Sequence, residues 1–211
     1  LFKQAKNKAN MNADWNKEEH PNWYKDVPTM RSLILGSFPP HHSKCAYPFF
    51  YPTLRNRFWK ILADLAGESL KWTKTDNKSK AVQERFEIMK KLKIGVQNLG
   101  LEIERKGKSA LDTNIKITKY QDIVSIIKNH PELTTILLLG YSAINSTAKS
   151  FINYIEQQGI KYSAINKLGL ETAFIIQLKG RSIECVILNS TSTASRIKYD
   201  FLLDQFRRHL K

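Results

Sequence analysis

The stretch Leu33–Trp59, LILGSFPPHHSKCAYPFFYPTLRNRFW, decides how the rest of the chain is read. Its apolar opening, Leu33, Ile34 and Leu35, ends at Gly36-Ser37, as a buried strand does when it leaves the edge of a parallel sheet. Pro39 and Pro40 forbid an immediate helix, so a loop must follow. That loop threads His41, His42, Tyr47, Phe49, Phe50 and Tyr51 before a helix expected from about Leu54 to Ala66. In the helix Leu54, Phe58, Ile61, Leu62 and Leu65 recur at helical spacing, and Gly67 supplies a stop. Strand, aromatic loop and helix form one unit, and the loop is the candidate site.

Outward from this unit the same alternation continues. A helix at Lys80–Leu92 leads to a strand at Ile94–Leu99, then to a loop, Gly100–Ile115, reading GLEIERKGKSALDTNI. Tyr120–Asn129 is amphipathic and is ended by Pro131. The continuous run Thr134–Gly140, TTILLLG, predicts a central strand, and Ser142 is the expected N-cap of a helix reaching Gln158. Gly159, Gly169 and Gly180 punctuate a segment of irregular strands or an edge hairpin. Ser182–Leu188 is a further strand ending in NSTSTASR, before a last helix at Lys198–Leu210.

Strands alternating with helices imply an α/β fold, three layers α/β/α around a central, mainly parallel four-stranded sheet. One domain is expected over residues 31–211, preceded by an N-terminal extension, residues 1–30, with room for one short helix and with Trp15, Trp23 and Tyr24 as anchors. Ligands of such sheets bind outside the carboxyl ends of the strands, so the loops after Leu35, Leu99 and Leu188 should converge.

Composition narrows the classes. A hydrophobic content of 42% can build a core and excludes global disorder. No apolar run approaches the roughly 20 residues of a membrane span. Cys45 and Cys185 lie far apart without CxxC spacing, which argues against a zinc site or a disulfide framework. Thirty-four Lys and Arg against nineteen Asp and Glu give +15, so polyanions are the natural partners, nucleic acid first and anionic membrane second. Scattered solubilising charge is the plain alternative.

Several residues can carry chemistry, each with a plainer reading beside it. GSFPP has one Gly and two prolines without N–H, so it is neither a P-loop nor a Rossmann turn. Tyr47, Phe49, Phe50 and Tyr51 are a stacking platform for a base or the underside of a loop packed on the core. Asn56 suits a helix cap, while Arg55 and Arg57 suit phosphate. His41 and His42 have no further metal-ligand residues at useful spacing. Asp112, Thr113 and Asn114 can hold a reactive water or form an Asx turn. Ser190, Thr191, Ser192, Thr193 and Ser195 beside Arg196 suit a phosphate grip or cap the last helix.

GSFPP followed by YP and RNRFWKIL resembles the first motif of the uracil-DNA glycosylase superfamily, in particular its mismatch-specific uracil and thymine glycosylases. LNSTSTASR, Leu188–Arg196, is similar to the second motif, the loop that enters the minor groove. KGKSALDTNI, Lys106–Ile115, resembles a signature of the hypoxanthine-DNA glycosylase branch. The resemblance implies a monofunctional DNA glycosylase of base-excision repair. Such an enzyme flips a deaminated base, hypoxanthine or uracil, from double-stranded DNA and hydrolyses its N-glycosidic bond with water, without cofactor or metal. It also implies a cytoplasmic monomer, nucleoid-associated in a bacterium, with no membrane partner. A catalytically inactive nucleic-acid-binding member of the same fold is the alternative.

On this resemblance Ser37, Phe38, Phe50, Tyr51 and Asn56 bind the base, and Ser190, Thr191, Ser192, Ser195 and Arg196 bind the DNA backbone. Phe38 stands where the mismatch-specific members carry a water-positioning Asn, so the catalytic polar group is expected from Asp112 or Asn114.

Overall fold

A computed structural model describes residues 15–72, 77–109, 111–142 and 145–210. The described chain begins with β1 (Trp15–Glu19), β2 (Ser32–Gly36), α1 (Phe58–Ala66), α2 (Lys78–Leu92), β3 (Ile94–Asn98) and β4 (Gly100–Lys106). Next come β5 (Ile115–Tyr120), α3 (Ile123–Asn129), β6 (Thr135–Leu139) and α4 (Thr147–Gln157). It closes with β7 (Lys161–Tyr162), β8 (Ala173–Leu178), β9 (Arg181–Leu188) and α5 (Tyr199–His209).

The main sheet has the order β3-β2-β6-β9-β8-β7. Its first four strands run parallel, with Leu35 opposite Gln97 on one side and Leu138 on the other. SLILG, IGVQN and TILLL are buried at every position, which explains why none of them alternates and why SLILG and TILLL read as continuous apolar runs. The expected four-stranded sheet is therefore corrected to a six-stranded mixed one: β8 and β7 add antiparallel beyond β9. Along β8 buried Phe174 and Ile176 alternate with exposed neighbours, the pattern of an antiparallel strand wet on one face.

A second sheet, β1-β4-β5, is antiparallel throughout. Gly100–Ile115, expected as a loop, is mostly hairpin, since β4 pairs with β5 on one side. On its other side β4 pairs with β1, so Trp15–Glu19 of the expected extension forms a strand. Two groups of helices pack on the structure. Helix α1 lies against α2 and α5, while α3 and α4 meet where the Tyr154 hydroxyl accepts from the Val124 N–H at 3.1 Å.

Two helices start later than their apolar spacing suggests. The Asn56 N–H donates to the Thr53 carbonyl, forming a turn, and Asn56 Oδ1 then accepts from Phe58 N at 3.0 Å, so α1 starts at Phe58 rather than Leu54. Ser146, not Ser142, caps α4, its Oγ accepting from Lys149 N at 3.3 Å. Among the described residues no helix is long and apolar enough to cross a membrane.

Candidate functional site

The parallel strands deliver their C-terminal ends to one place. There β2 ends at Gly36, β3 at Asn98, β6 at Leu139 and β9 at Leu188. A side chain on Gly36 would begin 2.7 Å from Asn98 Nδ2 and 2.9 Å from Tyr51 Oη, so only glycine allows these two polar ends to gather over β2. Gly140 follows β6 at φ 90°, a left-handed conformation that favours glycine where the chain turns into the next loop. Between these loops lies a cavity of about 320 Å³. Ser37, Phe38, Tyr51 and Asn56 line it together with Ser190, Thr191 and Ser192, so most of the expected site residues are brought together.

Asn56 and Arg57 bind the first loop to the last. Asn56 Oδ1 accepts from the Thr191 hydroxyl at 2.8 Å as well as from Phe58 N, which leaves the amide nitrogen as its free donor toward a ligand. Arg57 was a candidate for phosphate; instead it is spent inside the protein. Its guanidinium donates to the carbonyls of Thr191 at 3.2 Å and Ser192 at 2.7 Å, to the Ile197 carbonyl, and to Ser195 Oγ at 3.0 Å. Ser195 Oγ in turn donates to Ser192 O at 2.7 Å, and Ser190 Oγ accepts from Ser192 N at 3.2 Å. Most hydroxyls of this run shape the loop itself. Thr191, only 1% exposed, lines the cavity with its hydroxyl spent on Asn56, whereas Arg196 is exposed in the left-handed region at φ 54°.

Of the aromatic candidates, Tyr51 reaches the cavity with one face stacked on Phe58 at 3.9 Å. Phe50 does not: at 1% exposure it belongs to the core, packed edge-on against Phe49 and Trp23. Trp59 is core as well, its indole N–H donating to the Phe50 carbonyl at 2.8 Å. The platform and underside readings of the loop thus divide between neighbouring residues.

The second loop supplies a buried cation. Arg105 of β4 is 0% exposed and bidentate to Glu18 of β1, at 2.7 and 3.1 Å. It also donates to the carbonyls of Ser109 at 2.6 Å and Pro39 at 2.7 Å, tying the β4–β5 turn to the wall of the cavity. Asn114 Nδ2 donates to Ser109 Oγ at 2.9 Å, and Asn114 is not among the residues lining the cavity. Asp112 begins the 3-10 turn Asp112–Asn114, which leads into the cavity-lining Ile115; its side chain lies outside the described residues.

Sequence reasoning missed two further residues. Asn98, 6% exposed, lines the cavity, and its side-chain amide lies 3.0 Å from His20 Nε2. Burial pulls the His20 pKa below its ordinary 6.5, against the raising effect of its hydrogen bonds to Asn98 and Pro21. Gln97-Asn98-Leu99 at the end of a strand was the available signal, and polar residues there are unusual in an otherwise continuous apolar run.

A wider apolar hollow of about 870 Å³ lies across the Phe38–Pro40 segment, with Trp23, His41, His42 and Tyr47 in its walls. The rings of His41 and His42 lie 4.1 Å apart, and among the described residues no three His, Cys, Asp or Glu side chains gather to hold a metal.

Chemically, the smaller cavity offers amide and hydroxyl groups, the Lys44 ammonium, the Arg105 guanidinium already paired with Glu18, and the aromatic rings of Phe38 and Tyr51. Among the described residues lining it there is no carboxylate. It is equipped to hold a flat polar ligand and to stabilise negative charge on it.

No protein-family model matches the chain, and no curated protein matches it in sequence. In structure it is similar to a candidate uracil DNA glycosylase from Methanosarcina acetivorans, solved by solution NMR. The two are 19% identical, with a TM-score of 0.54, over 86% of this chain and 89% of the other. They share a fold.

Proposed function

We propose that this chain is a DNA glycosylase-like protein that draws a deaminated base, uracil or hypoxanthine, out of a duplex and hydrolyses its N-glycosidic bond with water. The observation that carries the reading is the cavity at the carboxyl edge of the parallel strands, where Tyr51, Asn56 and Asn98 converge on about 320 Å³ in a chain of net charge +15. The shared fold supports it, because the similar protein bears the name of that activity.

In this reading the base lies against Tyr51, and the amides of Asn56 and Asn98 meet its edge. As the C1′–N bond breaks, its electron pair stays with the base and positive charge develops on the sugar. The free amide nitrogen of Asn56 and the nearby Lys44 cation stabilise the departing base anion. Water then adds its oxygen to C1′ and loses a proton, and the base anion takes up a proton, giving an abasic sugar and a free neutral base. We assign Asp112 to holding that water, since its turn leads into the cavity wall at Ile115 and Asn114 is engaged with Ser109. Ser192 and exposed Arg196 meet the phosphates, on a loop that Asn56 and Arg57 hold from behind.

A second reading, a nucleic-acid-binding protein of this fold without the chemistry, is favoured by the lack of a carboxylate among the described cavity-lining residues. The deciding experiment is incubation with duplexes carrying one uracil or one hypoxanthine, followed by alkali. Strand cleavage at the lesion, lost in Asp112→Asn, is expected. Lesion binding with no abasic product from any deaminated base would replace the first reading with the second.

A further inference from the structure

His20 directly follows β1 and is 7% exposed. Its ring is caged by Trp23, Phe38 and Phe50, with centroids 5.7, 5.5 and 5.9 Å away. Nδ1 lies 2.5 Å from the Pro21 carbonyl oxygen. A carbonyl offers only lone pairs, so Nδ1 must carry a proton. Nε2 lies 3.0 Å from Asn98 Oδ1. Asn98 Nδ2 sits over Gly36, 2.7 Å from where a side chain there would begin, and a half-turn of the amide exchanges the two ends.

A neutral imidazole has a single N–H, and here it is given to Pro21. Nε2 then presents a lone pair, which the Asn98 amide must meet with its NH2, turning its oxygen toward Gly36. A doubly protonated ring donates from Nε2 as well, takes the amide oxygen, and turns the NH2 toward Gly36. The oxygen and nitrogen of an amide are told apart by just such partners. We propose that His20 is a positioning residue that sets specificity: through Nε2 it decides whether Asn98 shows the cavity an acceptor, with the ring neutral, or a donor, with the ring protonated.

For its substrate class the inference rests on the glycosylase reading. Deamination replaces a ring-nitrogen lone pair by an N–H, at N3 in going from cytosine to uracil and at N1 in going from adenine to hypoxanthine. An outward Asn98 oxygen accepts that N–H and faces the lone pair of the undamaged base with repulsion. An outward NH2 reverses the preference. Lesion selectivity therefore requires the neutral ring.

Burial favours the neutral ring, holding the His20 pKa below 6.5. The charged and titratable neighbours are Glu19 from β1, Tyr24 beyond Pro21 and Asp122 at the start of α3, all around the hollow that His20 borders, with Arg105 of β4 across Phe38. The hydrogen-bond partners of the two ring nitrogens, Pro21 and Asn98, are uncharged.

The test pairs two measurements. Long-range proton–nitrogen NMR on the labelled, DNA-free protein at about pH 7 should show His20 protonated at Nδ1, with a scalar coupling across the hydrogen bond from the Asn98 amide nitrogen to Nε2. Competition between uracil-containing and cytosine-containing duplexes, followed downward in pH, should show wild-type preference falling roughly ten- to hundredfold as the ring protonates. His20→Phe, which keeps an aromatic ring in the cage, should bind undamaged duplex but show a weak preference without that pH dependence. A ring protonated at Nε2 at neutral pH, or a preference with the wild-type pH profile in His20→Phe, would overturn the proposal. A wild type with no lesion preference would instead sink the glycosylase reading, while the NMR result would still decide the polarity of Asn98.

Discussion

Replacing Arg105 by Met keeps a long apolar stem and removes the guanidinium that joins β1, the β4–β5 turn and the Pro39 segment. Four hydrogen bonds are lost: two to Glu18, one to Ser109 and one to Pro39. Removing one member of a buried ion pair costs about 3–5 kcal/mol. Arg105 is 0% exposed but the Glu18 side chain is 23% exposed, so water compensates the carboxylate in part and the low end, about 3 kcal/mol, applies. Leaving the Pro39 carbonyl without its buried donor adds about 1 kcal/mol. A total of about 4 kcal/mol corresponds to a fall in Tm of about 8–16 °C for a chain of this length. Circular-dichroism melts of the wild type, Arg105→Met, Glu18→Gln and the double variant measure both the loss and the coupling. Since Pro39 borders the cavity, lesion preference should fall further than binding to undamaged duplex. A single variant melting within about 3 °C of the wild type would refute the reasoning, because it would mean that water or neighbouring groups replace all four bonds.

Asn56→Ala removes the cap on Phe58 N and the partner of the Thr191 hydroxyl, so a loss of about 1–2 kcal/mol is expected by denaturant titration, with lesion binding weakened as the last loop is released. Gly36→Ala should push Asn98 and Tyr51 apart and abolish lesion preference in competition assays while the protein remains folded by circular dichroism. Between pH 6.5 and the lower folded pKa of His20, the unfolded chain binds the proton and the folded chain does not, so stability rises with pH in that window. Melts across the window should show this slope in wild type and its loss in His20→Phe. Arg196→Ala should reduce the slope of log affinity against log salt by about one without changing lesion preference.

The central strands β2 and β6 were legible because burial on both faces turns them into nearly unbroken apolar runs that end at a glycine, as in TILLL followed by Gly140. The β4–β5 hairpin was not. In GLEIERK the inward position after Ile103 is Arg105, whose burial depends on Glu18, 87 residues away, and a charged residue reads locally as surface. The start of α1 was misplaced because Leu54 has helical spacing but is 53% exposed, lying in the turn that Asn56 closes. At the candidate site, the cavity-lining Ser37, Phe38, Tyr51, Asn56 and Ser190–Ser192 were singled out by the motif resemblance together with the expected convergence of the loops after β2 and β9. Phe50 differs from Tyr51 only in which way one residue faces, and Tyr51 turns by adopting φ 48°, which no spacing rule reveals. His20 and Asn98 acquire meaning only as a pair, and they are 78 residues apart.

The bond between Asn56 and Thr191 spans 135 residues, and its geometry has a consequence for biosynthesis. The wall containing Gly36 leaves the ribosome long before Ser190–Ser192 and the β9 strand that carries them, with the Asn98 and Gly140 walls made in between. The cavity therefore lacks its last wall until β9 and the loop after it have been made. A nascent chain that stops short of β9 can form several of the central strands, yet it leaves the cavity open on that side.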